Sequence, residues 1–173
     1  MAARRLVLTD TNVLLNLAFV DRLDLLGALP DLGFCAPREV LDEVLGPRER
    51  ALVESALAGG VLHEVVLEGS EPLRLFAELL QIMGRGEAAC IALAAHLRGW
   101  VASDEKRAFR REAERCLGPG AILNTPGLFI LAIRRNLIGL DEADRMKEVL
   151  ERHRFKMTFA SFSELLHQEN QGG

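Results

Sequence analysis

Four short apolar runs punctuate the chain: Leu6-Val7-Leu8-Thr9, Gly33-Phe34-Cys35-Ala36, Trp100-Val101-Ala102-Ser103 and Ala121-Ile122-Leu123. Each gives way to a polar residue or a proline and then to a helix-length pattern. This alternation constrains the fold more than any other feature. Strands apolar on both faces must be covered on both faces, and parallel neighbours need a crossover between them. The pattern predicts an α/β chain with a central parallel sheet between helices. Residues 61–67 read as a further strand. Helices are predicted over residues 13–19, 21–29, 37–45, 48–57, 72–83, 87–97, 105–117, 126–136 and 141–152, with Pro37 suited to a first helical turn. Right-handed crossovers bring every strand-to-helix turn to one rim, where ligands of open α/β sheets bind.

The residues gathered on that rim are polar and mostly acidic. Asp10-Thr11-Asn12 follows the first run, Asp104 the run at Trp100, and Asn124 and Thr125 the last. Glu43 lies in the helix opened by Pro37, with Asp42 as its rival. Glu87 heads EAACIALAAHL, a helix apolar almost all round and therefore buried. Each has an ordinary explanation: Asp10 and Asp104 as N-caps, Glu87 as an acid at a positive helix end, Glu43 as a solvated residue, Asn124 and Thr125 as turn and cap. Together they say more. Four converging carboxylates repel one another, and a hard divalent cation removes that conflict; an oxygen-only set suits Mg²⁺ or Mn²⁺ better than zinc. The net charge is −4, so outside these four acids the chain is formally neutral.

Composition narrows the class. A chain of 173 residues with 49% hydrophobic and 27% charged residues predicts a single domain over residues 1–167. Its core would span about 6–138 and a helical extension about 140–167, leaving a polar tail at 168–173. The negative charge excludes a broadly basic nucleic-acid binder. Cys35, Cys90 and Cys116 form no CxxC pair, and the four histidines are scattered, so neither a disulfide framework nor a zinc site is expected. That usage fits the reducing cytoplasm. Asp10, Thr11 and Asn12 interrupt the N-terminal apolar run, and no run reaches the ~18 residues that span a bilayer.

The ordered set strand-Asp10-Thr11-Asn12, Pro37-x-x-Val40-x-x-Glu43-Val44, Gly84-x-Gly86-Glu87-Ala88-x-x-Ile91-x-x-Ala94 and Ser103-Asp104-x-x-x-x-Phe109 resembles the PIN domain. The similarity covers residues 6–138. Residues 140–166 also resemble the helical tail of a PIN-like subgroup related to the VapC toxins of bacteria and archaea. The resemblance implies a Rossmann-like three-layer α/β/α fold and a metal-dependent endoribonuclease leaving 5′-phosphate and 3′-hydroxyl ends. It makes Asp10, Glu43, Glu87 and Asp104 the catalytic acids, with Asp10, Glu87 and Asp104 as direct ligands of Mg²⁺ or Mn²⁺. Glu43 would bind the metal through water or orient the attacking water. Asn12 would hold Asp10 or contact the phosphate. Thr125, with Asn124 as its rival, stands where the family often has Asp. An antitoxin protein and a homodimer are the implied partners beside RNA. The alternative is an inert PIN-like module that binds RNA or protein.

Two further patterns bear on partners. Arg107, Arg111 and Arg115 recur every four residues after Asp104, with Arg110 beside them. They form either a solvated face relieved by Glu105, Glu112 and Glu114 or a ridge for RNA phosphates. Phe155, Phe159 and Phe162 read as core cover for the C-terminal helices, with a dimer seam as the other reading. Asp10-Thr11-Asn12-Val13 is also similar to the start of haloacid dehalogenase phosphatases. Asn12, however, cannot exchange a proton as the second Asp of that motif would.

Overall fold

The computed structural model describes residues 4–171. Five strands form one sheet in the order β3-β2-β1-β4-β5, every pair parallel: β1 (Arg5–Thr9), β2 (Leu32–Pro37), β3 (His63–Val65), β4 (Trp100–Ala102) and β5 (Ile122–Leu123). The chain moves outward from β1 through β2 to β3, then returns to the other side of β1 for β4 and β5. The order therefore reverses between β1 and β4, the switch point at which open α/β sheets form their ligand crevice.

The helices form two groups. On one side α6 (Arg85–Leu97) packs on β1, β2 and β4, with α5 (Ser70–Leu79) and α7 (Ala108–Leu117) against it. Gly86 and residues 88–94 of α6 are all buried, as its apolar circumference requires. The turn from α6 into β4 depends on Gly99: a Cβ there would lie 2.8 Å from the Leu6 carbonyl oxygen. The other group centres on α1 (Thr11–Phe19), which contacts α4 (Pro47–Ala58), α8 (Thr125–Arg134) and α9 (Leu140–Arg152). Sheet and helices together make the expected three-layer α/β/α arrangement. No helix among the described residues is long and apolar enough to cross a membrane.

Several boundaries differ from the sequence reading, each for a local reason. The helix predicted over 21–29 is a single turn, α2 (Leu25–Ala28). Asp21 takes a left-handed backbone (φ 54°) and closes α1: Arg22 N–H reaches the Leu17 carbonyl at 2.9 Å and Asp21 N–H that of Ala18 at 3.2 Å. That is the pairing of a Schellman motif, with Asp in glycine's usual place. Pro37 ends β2 and does not open the next helix, and α3 (Arg38–Glu43) stops two residues early. The strand expected over 61–67 shortens to His63–Val65. Most consequential, α7 begins at Ala108 and not at Glu105, because Arg107 at its N-cap has φ 52°. Residues 103–107 are thus a loop.

The C-terminal extension is helical as predicted. Phe162 opens α10 (Phe162–Gln171), is fully buried, and packs against Phe129 and Phe159 with ring centroids 5.9 and 4.9 Å away. Its N–H donates to Asp144 Oδ1 at 2.7 Å, tying α10 to α9. Phe155 and Phe159 cover the core more loosely. Residues 168–171, read from sequence as tail, belong to α10; 172–173 lie outside the described residues. Truncating Phe162 to Ala should cost about 3–5 kcal/mol. Since each kcal/mol moves Tm by about 2–4 °C at this size, the thermal unfolding midpoint should drop by roughly 10 °C; an unchanged midpoint would detach the extension from the core.

Candidate metal centre

Asp10 stands at the point of reversal. Its N–H continues the ladder to the Ala102 carbonyl at 2.8 Å, which fixes the residue between β1 and β4. The carboxylate, 3% exposed, accepts from Thr11 N–H at 2.7 Å and from the Ser103 hydroxyl at 3.0 Å. It therefore caps α1, as the ordinary reading supposed. The cap does not neutralise it. Burial pushes its pKa up to about 7 from the ordinary 3.8, against those two hydrogen bonds, and Glu87 and Glu105 add to the rise.

Glu87 and Glu43 reach the crevice from two helices. Glu87, in the first turn of α6, accepts from Gly84 N–H at 2.9 Å. Burial raises its pKa despite that bond, with smaller contributions from Glu105 and Glu43. Glu43, the last residue of α3, accepts from the Thr11 hydroxyl at 2.6 Å and from Gly86 N–H at 3.0 Å. A Cβ on residue 86 would lie 2.7 Å from Glu43 Oε2, so glycine leaves the room that the Glu43 carboxylate occupies. Asp42 makes none of these contacts, and Glu43 is the acid of α3 that faces the site.

The loop after β4 supplies a residue that sequence reasoning missed. The Ser103 hydroxyl that donates to Asp10 also accepts from Glu105 N–H at 3.1 Å. Asn12 donates to Glu105 Oε1 at 3.0 Å and accepts from Asp104 N–H at 3.3 Å. Glu105 is thereby drawn over the crevice, and one carboxylate oxygen from each of Asp10, Glu87 and Glu105 lies within 4.8 Å of the others. Asn12 thus holds Glu105, where Asp10 or a phosphate was expected.

Asp104 turns to the other side. Its Oδ1 accepts from Thr125 N–H at 2.8 Å; its Oδ2 accepts from the Thr125 hydroxyl at 2.6 Å and from Asn16 at 3.0 Å. Burial raises its pKa, opposed by those same bonds. It borders the group of three without joining it. Thr125, fully buried, is the polar partner here, while Asn124 caps α8 by accepting from Gly127 N–H at 2.8 Å. Asn16 was also overlooked, and Thr11 and Ser103, named in the motifs without a role of their own, prove to hold Glu43 and Asp10. Asn16 carried a readable signal: it lies four residues after Asn12, on one face of an otherwise apolar helix.

Of the arginines, Arg110 pairs with Glu114 at 3.5 Å, Arg111 with Glu112 at 3.0 Å, and Arg115 with Glu112 and Glu78 at 2.6 and 3.0 Å. Arg107 makes no ion pair among the described residues. The solvated-face reading thus describes Arg110, Arg111 and Arg115, with Glu112 and Glu114 but not Glu105 as its acids.

A family model described as a PIN domain matches residues 6–170. No curated protein matches the chain significantly. PIN domains are a nuclease fold whose members generally use divalent metal ions, and the acidic group found here fits that use.

Two outcomes follow from the geometry. Between pH 3.8 and about 7 the folded chain keeps a proton on Asp10 that the unfolded chain has released. Stability without metal should therefore fall as pH rises through that window, and Asp10→Asn should raise the metal-free Tm above it, by about 2–4 °C per kcal/mol relieved. Thermal scans on either side of the window read both effects; a wild-type Tm that rises from the acidic to the alkaline side would contradict the buried, unpaired carboxyl. Gly86→Ala should displace Glu43 and weaken Mn²⁺ binding by roughly tenfold, the lower end of what supporting contacts supply, as titration calorimetry would show.

Proposed function

The chain belongs to the PIN-domain family, and on that footing we propose that it is a metal-dependent endoribonuclease hydrolysing RNA phosphodiester bonds. One observation carries the reading. Carboxylate oxygens of Asp10, Glu87 and Glu105 lie within 4.8 Å of one another, Glu43 and Asp104 border them, and among the described residues none of the five has an ion-pair partner. Asp10 is buried and Glu87 and Asp104 are half-buried; such acids without cations are costly, and an inert module has no need of them. The donors facing the crevice are carboxylate oxygens, which suits Mg²⁺ or Mn²⁺.

Asp10, Glu87 and Glu105 would hold the cation. Bound there, it would polarise the scissile phosphate, lower the pKa of a water and stabilise the leaving oxygen. Glu43, fixed by Thr11 and Gly86, would orient that water and accept its proton. Asp104 ties the end of β4 to α1 and α8 through Asn16 and Thr125. Direct ligation by Asp104, as the resemblance implies, requires it to share or surrender one of those bonds. Glu105 takes the third ligand's place in this reading.

The family match from residue 6 to 170 supports treating residues 1–167 as one unit. A toxin role, with an antitoxin protein and a second copy of the chain as partners, rests on the likeness of the motifs and the tail to the VapC group. A cytoplasmic location rests on three free thiols.

Wild type with Mn²⁺ should cut single-stranded RNA and leave 5′-phosphate and 3′-hydroxyl ends, read by end-specific sequencing. Asp10→Asn should reduce cleavage to background and abolish Mn²⁺ binding by calorimetry while its circular dichroism stays native. Full cleavage in that variant refutes the site, and a wild type that binds no metal favours the inert module.

A further inference from the structure

Strand β1 and helix α6 pack together and run in opposite directions, so the start of one meets the end of the other. Arg5 opens β1, and Arg98 caps the C-terminal end of α6. At about 3.3 Å per strand residue, Arg5 stands roughly 16 Å from Asp10. At about 1.5 Å per helical residue, Arg98 stands a similar distance from Glu87. At this far pole both arginines line a cleft of about 220 Å³, together with Trp100, Cys116, Leu117 and the small residues of the α6–β4 turn. No acid lines it. Four other clefts of the molecule each include an acid, among them Asp21, Asp24, Glu71, Glu78 and Glu142.

Neither arginine is neutralised. Both are exposed, and neither has an acidic partner among the described residues. The Arg5 guanidinium lies 5.3 Å from the centroid of the Trp100 ring. A cation resting on an aromatic face is held in position, yet it keeps its charge and its N–H donors. Arg98 takes a left-handed backbone (φ 53°, ψ 38°) at the helix end, where glycine is the usual residue. The C-terminal ends of α6 and α7 lend partial negative charge, which steadies cations here without pairing them. That effect accounts for a cation at residue 98, and it leaves the second one at Arg5 without a counterpart. Burial pushes the Cys116 thiol up, against the pull of Arg115, so the thiol stays neutral and adds no negative charge.

We infer that Arg5 and Arg98 form a phosphate-binding site at the pole of the sheet opposite the acid crevice. Two unpaired cations match the dianion of a terminal phosphate, whereas a carboxylate would balance only one. The guanidinium fork also suits phosphate oxygens, which accept two parallel N–H bonds from it. The cleft is smaller than the ~300–1,000 Å³ pockets that enclose organic ligands, so the phosphate group itself is what it recognises. This inference goes beyond the nuclease reading and does not rest on it.

Trp100 is the only tryptophan of the chain, so its fluorescence reports on this cleft. The test titrates pyrophosphate and inorganic phosphate into the metal-free full chain, at ionic strength held constant with chloride. It reads tryptophan fluorescence and calorimetric heat, and the absence of metal keeps the anions out of the acid crevice. Wild type should give a saturable response. Arg5→Gln and Arg98→Gly should each weaken binding by about tenfold or more, since each removes charged donors. Glycine suits the backbone at residue 98, so Tm should not fall in that variant. Arg110→Gln, which removes a guanidinium paired with Glu114 on α7, should bind as wild type does. Adenosine 5′-monophosphate separates the sources of the group. Affinity equal to that of inorganic phosphate assigns a free anion, and tighter binding with the same dependence on Arg5 and Arg98 assigns a phosphate carried on a nucleotide. The site is overturned if neither fluorescence nor heat saturates, if chloride produces the same response, or if both variants keep wild-type affinity. Those results leave the nuclease reading standing, because cleavage of RNA is measured separately.

Discussion

Uncompensated negative charge at one point of the sheet is the constraint on which the rest of the molecule depends. Strand order reverses between β1 and β4, and the crevice there receives acids from the strand ends, α3, α6 and the loop after β4. Without a cation that assembly opposes its own folding, as the raised pKa of Asp10, Glu87 and Asp104 expresses. The surrounding hydrogen bonds hold the carboxylates in place without cancelling them. Thr11, Ser103, Asn12, Asn16 and Thr125 are neutral donors, so each orients a carboxylate and leaves its charge available to a ligand. Had arginines filled those positions, the crevice would be an ordinary buried ion-pair network.

The division of labour among the acids follows from the same economy of donors. Asp104 accepts three hydrogen bonds and Glu105 receives one at its side chain, so Asp104 is the more firmly anchored and Glu105 the freer to turn toward Asp10 and Glu87. Ser103 couples the two sides, since its single hydroxyl serves both Asp10 and the Glu105 backbone. Gly86 makes a comparable contribution by omission: the missing side chain is the space in which Glu43 sits.

Much of this was legible in the amino-acid order, and the portions that were not share a cause. The β–α alternation located every strand because buried parallel strands are continuous apolar runs, and the crossover rule pointed to Asp10 and Asp104 just beyond two of them; Glu43 and Glu87 were read from the helices that carry them. Thr125 over Asn124, and Glu43 over Asp42, could not be decided until side-chain directions were known. Glu105 was lost to a boundary error of three residues: assigned to α7, it read as an acid relieving the arginine face, whereas the left-handed turn at Arg107 frees it for the crevice. The helix over 21–29 failed for the same kind of reason at Asp21. In both cases one non-glycine residue adopts a conformation that residue preferences do not foresee.

The sheet's outer strands have a consequence for how the molecule meets others of its kind. β3 has three residues and β5 two, so each open edge offers an incoming strand almost no ladder to extend. Short margins of this sort discourage edge-to-edge aggregation. A pairing of two copies by backbone ladders has little to build on at either margin, which leaves side-chain surfaces as the ground on which copies could meet.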